Sequence, residues 1–276
     1  TSTDRTITLP DATATIATTA DVAARLPSIT DGGNSTAITI NSAENVGIGV
    51  VPETWNVYDK VVQIGTGTAI WTYQNAEAHF STNSYYNSGN KYIGTGLAAQ
   101  YQQAAGAHNW MTAASGSADG ALTWNTVMSI NSTGAVTMPA QPAFEVKPAS
   151  TQSNIAVNSM VTVVLGTEVF DQNANFSSNT FTAPVSGKYQ FNFNIGLRAV
   201  DSAAASYALY LSTTNENIEI NFDPDFGQDA GFWSITSSAL CELDANDTCY
   251  MRLYQNGGTA QTDIHDLTRF SGYLVA

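Results

Sequence analysis

The stretch "DPDFGQD" places three carboxylates, Asp223, Asp225 and Asp229, in one short segment. Carboxylates at that density support two kinds of chemistry. Paired across a set gap, they act as acid and base in glycoside hydrolysis. Gathered with backbone carbonyls, they supply the hard oxygen ligands that calcium prefers. A solvated acidic loop reads the same way, so calcium is the one metal left open here and no other cofactor is expected. Beside this loop stand Phe226, Phe232 and Trp233, and a second aromatic group, Tyr85, Tyr86 and Trp110, lies in mid-chain. Aromatic faces next to Asn, Asp and Gln suit sugars, whose CH faces stack on rings while their hydroxyls take hydrogen bonds. The same rings could instead fill a core or a contact between subunits.

Catalysis has less to work with. His79, His108 and His265 lie far apart, and none has the spacing of a metal-ligand pair. No Gly-x-Ser-x-Gly elbow is present. "IGTG" occurs at 64–67 and again at 93–96, but neither copy opens a helix or precedes Lys-Ser/Thr. Both read as turns or close backbone contacts. The chain is expected not to be an enzyme.

Charge narrows the partners. Nine basic residues face 23 acidic ones, for a net charge of −14. With no Lys/Arg cluster to meet phosphates, nucleic acid is excluded, and anionic membrane surfaces are disfavoured for the same reason. No run approaches the ~20 apolar residues of a membrane span, so insertion is not expected either. Charged residues make up 12% of the chain, about half the ~25% usual in soluble domains. Ser, Thr, Asn, Gln and Gly take their place, which suits turns and strand edges. Cys241 and Cys249 flank "ELDANDT", which reads as a hairpin turn. Alternation puts both on one face with Leu243, Met251 and Leu253, either as buried thiols or as a cross-strand disulfide. The chain opens at Thr1, so residues preceding it are expected to be missing.

The elements that must position these groups are strands. Helical periodicity is confined to "TTADVAARLP" at 18–27, where Asp21 could cap a turn or two before Pro27. Elsewhere the pattern is period-two alternation bounded by Gly, Asn, Asp and Pro, as in "ITLP", "ATIA", "VVQI", "YQFNFNIGL" and "YMRLY". The fold class is all-β. Four segments differ in texture: a sparse Thr-rich stalk at 1–50, an aromatic middle module at 51–127, a linker at 128–142 and regular strands over 143–276. One short hairpin is spelled twice. "ITINSAENVGIG" and "MSINSTGAVTMP" align without a gap, Ile38 with Met128, Ile40 with Ile130, Asn41-Ser42 with Asn131-Ser132, and Val46 with Val136. Such hairpins are marginal alone, so they are expected as threefold collars at the two ends of the middle module, with the chain necking in near 38–50 and 128–142.

The C-terminal third carries a specific pattern. Phe170-Asp171 precede "FTAPVSGKYQFNF" (Phe181, Pro184, Gly187, Tyr189, Phe191, Phe193), "SSALCELDANDTCYMRLY" follows, and "TRFSGYLVA" closes the chain. This resembles the jelly-roll domain shared by the complement globular head and the tumour necrosis factors. The resemblance implies a ten-strand sandwich that assembles as a homotrimer. It makes Phe181, Tyr189, Phe191, Phe193, Phe270 and Tyr273 core or subunit-interface residues, with Leu253, Tyr273 and Val275 among the inward positions. The N-terminal half resembles bacteriophage tail fibres, through "RTITLPDATATIATTADV", the "INSxxxVGIG" hairpins and the module between them. That similarity implies a virion fibre assembled in the host cytoplasm, joined to other virion proteins on its N-terminal side. Its distal tip would attach to a host-surface glycan or outer-membrane receptor. A purely structural fibre or decoration protein is the alternative. A polysaccharide depolymerase spike is a further one, although the long solenoid it typically needs is not visible here.

Overall fold

The computed structural model describes residues 28–30, 36–56, 60–74 and 76–276. The expected helical turn at 18–27 and the strands "ITLP" and "ATIA" lie outside them. Every regular element among the described residues is a strand. The chain divides into two compact units, Thr1–Met138 and Pro139–Ala276.

In the first unit ten strands follow one another across a single sheet in chain order. They are Ser28–Thr30, Thr36–Ile40, Val46–Ile48, Val61–Ile64, Thr68–Tyr73, Glu77–Thr82, Gly96–Ala104, Ala107–Gly116, Asn125–Ile130 and Val136–Thr137. The sheet therefore runs on across residues 50 and 127. Neighbours are antiparallel except Val46–Ile48, which lies parallel to Val61–Ile64.

The twin hairpins share one turn. Asn41 Oδ1 accepts from the N–H groups of Ala43 and Asn45, both at 3.0 Å. Asn131 Oδ1 accepts from Thr133 at 3.0 Å and Ala135 at 2.9 Å. The short Asn side chain thus satisfies two donors that a tight turn would leave open. The fourth turn residue has positive φ in both copies, 61° at Glu44 and 88° at Gly134.

Facing residues in a ladder share a side of the sheet, so register sorts the side chains. One side carries Ala69, Trp71, His79 and Gln102, with Trp55, Val61 and Tyr85 buried in the same small core. The other side carries an unbroken apolar row: Ile40, Val46, Val62, Ile70, Phe80, Tyr101, Trp110 and Met128 face one another strand by strand. Ile40, Ile70 and Phe80 in that row are exposed.

The second unit is a two-sheet sandwich. One sheet has the order Thr167–Gln172, Ala143–Lys147, Arg269–Leu274, Gly187–Val200, Ala230–Leu243, and the other Phe176–Ser177, Thr180–Thr182, Thr248–Gly257, Ala204–Thr213, Asn217–Phe222. Alternation drives the packing. Tyr189, Phe191, Phe193, Ile195 and Leu197 all point inward from one strand and are fully buried with Phe181, Leu253 and Phe270. Phe144 anchors the centre, with ring centroids of Phe176, Phe181 and Phe270 at 5.2, 4.9 and 5.0 Å. Each such ring contributes about 1.5–3 kcal/mol by leaving water.

Two expectations are corrected here. "ELDANDT" is not a hairpin turn. The strand before it pairs with Gly187–Val200, while the strand after it pairs with Thr180–Thr182 and Ala204–Thr213 in the opposite sheet. The segment carries the chain from one sheet to the other, and Cys241 and Cys249 are free buried thiols. Burial raises the pKa of both. Tyr273 and Val275 are not inward: Tyr273 stands opposite Gln190, on the side away from the core, and both are about half exposed.

Candidate functional site

At one open side of the sandwich, between the edge strands Asn217–Phe222 and Ala230–Leu243, the core climbs to the surface as a stair of rings. Tyr207, fully buried, stacks on Phe222 at 4.9 Å and 8°. Phe222 lies 5.8 Å from Trp233, and Trp233 lies 4.8 Å from Phe226. The last two are 39% and 37% exposed, so the top step presents aromatic faces to solvent. The loop that lifts Phe226 is shaped by its own carboxylates. Asp223 Oδ1 accepts from Asp225 N at 3.0 Å, and Asp229 Oδ1 accepts from Ser202 N and Oγ at 2.9 and 2.8 Å.

Those bonds correct the calcium expectation. Asp223 turns the loop while Asp229 ties it to Ser202, so the three carboxylates do not converge. Among the described residues no three His, Cys, Asp or Glu side chains are placed to hold a metal ion. Phe232 also parts from its sequence neighbour. Adjacent strand residues face opposite ways, so it lies on the outer side of its sheet, edge-on to His265 at 6.2 Å.

The second aromatic trio does not assemble either. Tyr85 is buried, its hydroxyl donating to Asp119 Oδ1 at 2.6 Å. Burial first, then the neighbouring carboxylate, pushes its pKa up to about 12. Tyr86 lies 6.3 Å from Trp71 and lines a pocket of about 410 Å³ with Trp71, His79, Gln100 and Trp124. Trp110 belongs to the apolar row on the other side of the sheet, 5.3 Å from Tyr101.

Residues 143–275 match the family model of the C1q domain. The second unit is a C1q/TNF-type jelly roll. Solved structures similar to it include the globular domain of zebrafish complement 1qA, at 20% identity over 49% of this chain and 98% of that one, with a TM-score of 0.37. Murine APRIL at pH 8.5 is similar at 9% identity over 49% and 99% of the two chains, also with a TM-score of 0.37. No curated protein sequence matches the chain.

C1q/TNF-like domains form homotrimers and act as binding modules. In this C1q-type unit the two outer sheet faces differ in character. Phe170, Phe232, Leu240 and Tyr273 are exposed on the six-strand sheet that contains the terminal strand. The other sheet's outer face is hydrogen-bonded within the chain, where Arg252 donates to Ser212 Oγ and Asn217 Oδ1, each at 2.8 Å.

Several residues of these sites escaped the sequence reading. Phe222 ends the alternation Ile218, Ile220, Phe222, and that signal places it on the inner face just ahead of the loop. Trp71 and His79 are cross-strand partners on the adjacent strands Thr68–Tyr73 and Glu77–Thr82. Their equal separation from Asn75 in the sequence was a readable cue.

Proposed function

We propose that this chain is part of a homotrimeric bacteriophage fibre whose C1q-type tip attaches to a host-surface receptor, a glycan or an outer-membrane component. The observation that carries the reading is the exposed Phe226–Trp233 step. It offers stacking faces rooted in the core through Phe222 and Tyr207, with Asp223, Asp225 and Asp229 alongside to bond hydroxyls. A rigid aromatic anchor loses little entropy on binding. One shallow step binds weakly, and three on one fibre raise avidity without new contacts.

Support for the trimer is the pair of exposed apolar faces, the Ile70–Phe80–Tyr101–Trp110 row in the first unit and the Phe170–Leu240–Tyr273 face in the second. Exposed patches of that kind mark association surfaces. The fibre is a virion component assembled in the host cytoplasm and joined to other virion proteins on its N-terminal side.

The test is binding of labelled full-length protein to host cells and to their isolated envelope glycans. Phe226→Ala and Trp233→Ala are each expected to lower retention about tenfold or more while the molecular mass stays unchanged. Absence of binding by the unaltered protein to both cells and glycans would sink the reading.

A further inference from the structure

The geometry points to a second ligand site, remote in sequence from the tip: the pocket of the first unit is a binding site for a neutral or amino-substituted sugar ring. Its volume, about 410 Å³, falls within the ~300–1,000 Å³ of small-ligand sites. Its walls combine the rings of Trp71, Tyr86 and Trp124 with the side chains of Glu77 and Gln100. His79 lies flat on Trp71, with centroids 3.6 Å apart and planes within 5°.

Hydrogen bonding selects the ligand. Trp71, Trp124 and Gln100 line this pocket, and the indole N–H groups of Trp71 and Trp124 are buried without a partner among the described residues. An indole N–H can only donate. A purely apolar ligand would leave both unpaired, at about 1–3 kcal/mol each. Neighbouring hydroxyls on a sugar ring both donate and accept, and the ring's CH face suits the indoles.

Charge selects further. Glu77 is the one acidic side chain of the lining, and no Lys or Arg joins it. Its Oε2 is held by His79 Nε2 at 3.1 Å and Gln102 Nε2 at 3.2 Å. A fixed carboxylate repels acidic sugars and accepts an ammonium group. The pocket also stays clear of the apolar row. Trp71, His79, Gln102 and Asn109 face one another across the strands, on the side opposite Ile70, Phe80, Tyr101 and Trp110. Covering that row with other copies leaves the pocket free.

The experiment is titration of the full-length chain with glucose, galactose, N-acetylglucosamine, glucosamine and glucuronate, followed by calorimetry and ligand-observed NMR. At least one neutral or amino sugar is expected to saturate with a millimolar Kd, and glucuronate to bind at least about tenfold more weakly. Trp124→Phe keeps an aromatic face, though a smaller one, and removes the N–H. It and Gln100→Leu should each weaken binding about tenfold, with unfolding curves confirming that both variants fold. Trp233→Ala should leave these titrations unchanged, which separates this site from the tip. Four results overturn the proposal: no saturation at tens of millimolar, indifference to both pocket variants, preference for glucuronate, or a changed molecular mass in Trp124→Phe.

Discussion

Gly272 shows what a single residue contributes. A Cβ built there would stand 2.5 Å from Phe191 Cδ1 and 2.9 Å from Phe144 Cε1, so the terminal strand crosses the core rings at a point with no room for a side chain. The sequence displayed this glycine within "FSGYL", but its reason emerges only when rings from three strands meet. Gly272→Ala is expected to lower stability by about 1–3 kcal/mol in urea unfolding. Asp201 was invisible to sequence reading because its partners are scattered. It is fully buried, and its carboxylate accepts from Ala203 N at 2.9 Å, Ala260 N at 2.6 Å and Thr259 N. Burial acts to raise its pKa, but the backbone donors outweigh it and hold the group below the usual carboxylate range. A depressed folded pKa stabilises above the unfolded value near ~3.9 and is lost as pH falls through the folded value. Asp201→Asn is therefore expected to unfold more easily at neutral pH, because a buried N–H then faces an amide donor. Its stability should also fall less steeply than that of the unaltered protein between about pH 5 and pH 2, read from melting temperatures.

Among the elements, the twin hairpins were the most legible because everything that makes them is local. An Asn accepting from the second and fourth residues after it dictates the turn, and the flanking apolar alternation dictates the register. Ile40 faces Val46, and Ile130 faces Val136. The copies differ at the positive-φ position, where Gly134 is unstrained and Glu44 is not. Gly134→Ala should cost about 1–2 kcal/mol, whereas Glu44→Gly should raise the melting temperature, even though it removes the exposed pair with Lys60. Equal and opposite insensitivity, no change in either variant, would show that these turns do not limit stability. The crossover at 244–247 was illegible for the complementary reason. A turn rich in Asp and Asn looks the same whether its two strands pair or enter different sheets. That choice is made by the distant strands Gly187–Val200 and Ala204–Thr213.

For the whole molecule, alternation told inward from outward over most of the C1q-type unit, and the motifs named its fold. Alternation could not say which outward face seeks a partner. The apolar row of the first unit draws one residue from each of eight strands, so it appears only once every register is known. The calcium reading failed at this scale as well, because nearness in sequence did not bring three carboxylates to one point. The same logic split Trp110 from Tyr85 and Tyr86, which lie within a few strands of it but across the sheet. The proposed assembly of three copies would cover both exposed apolar faces and repeat the proposed binding step three times. The direct check is the mass of the full-length protein in solution at micromolar concentration, measured by sedimentation equilibrium. Three times the chain mass is the predicted result; a stable monomer would contradict the account.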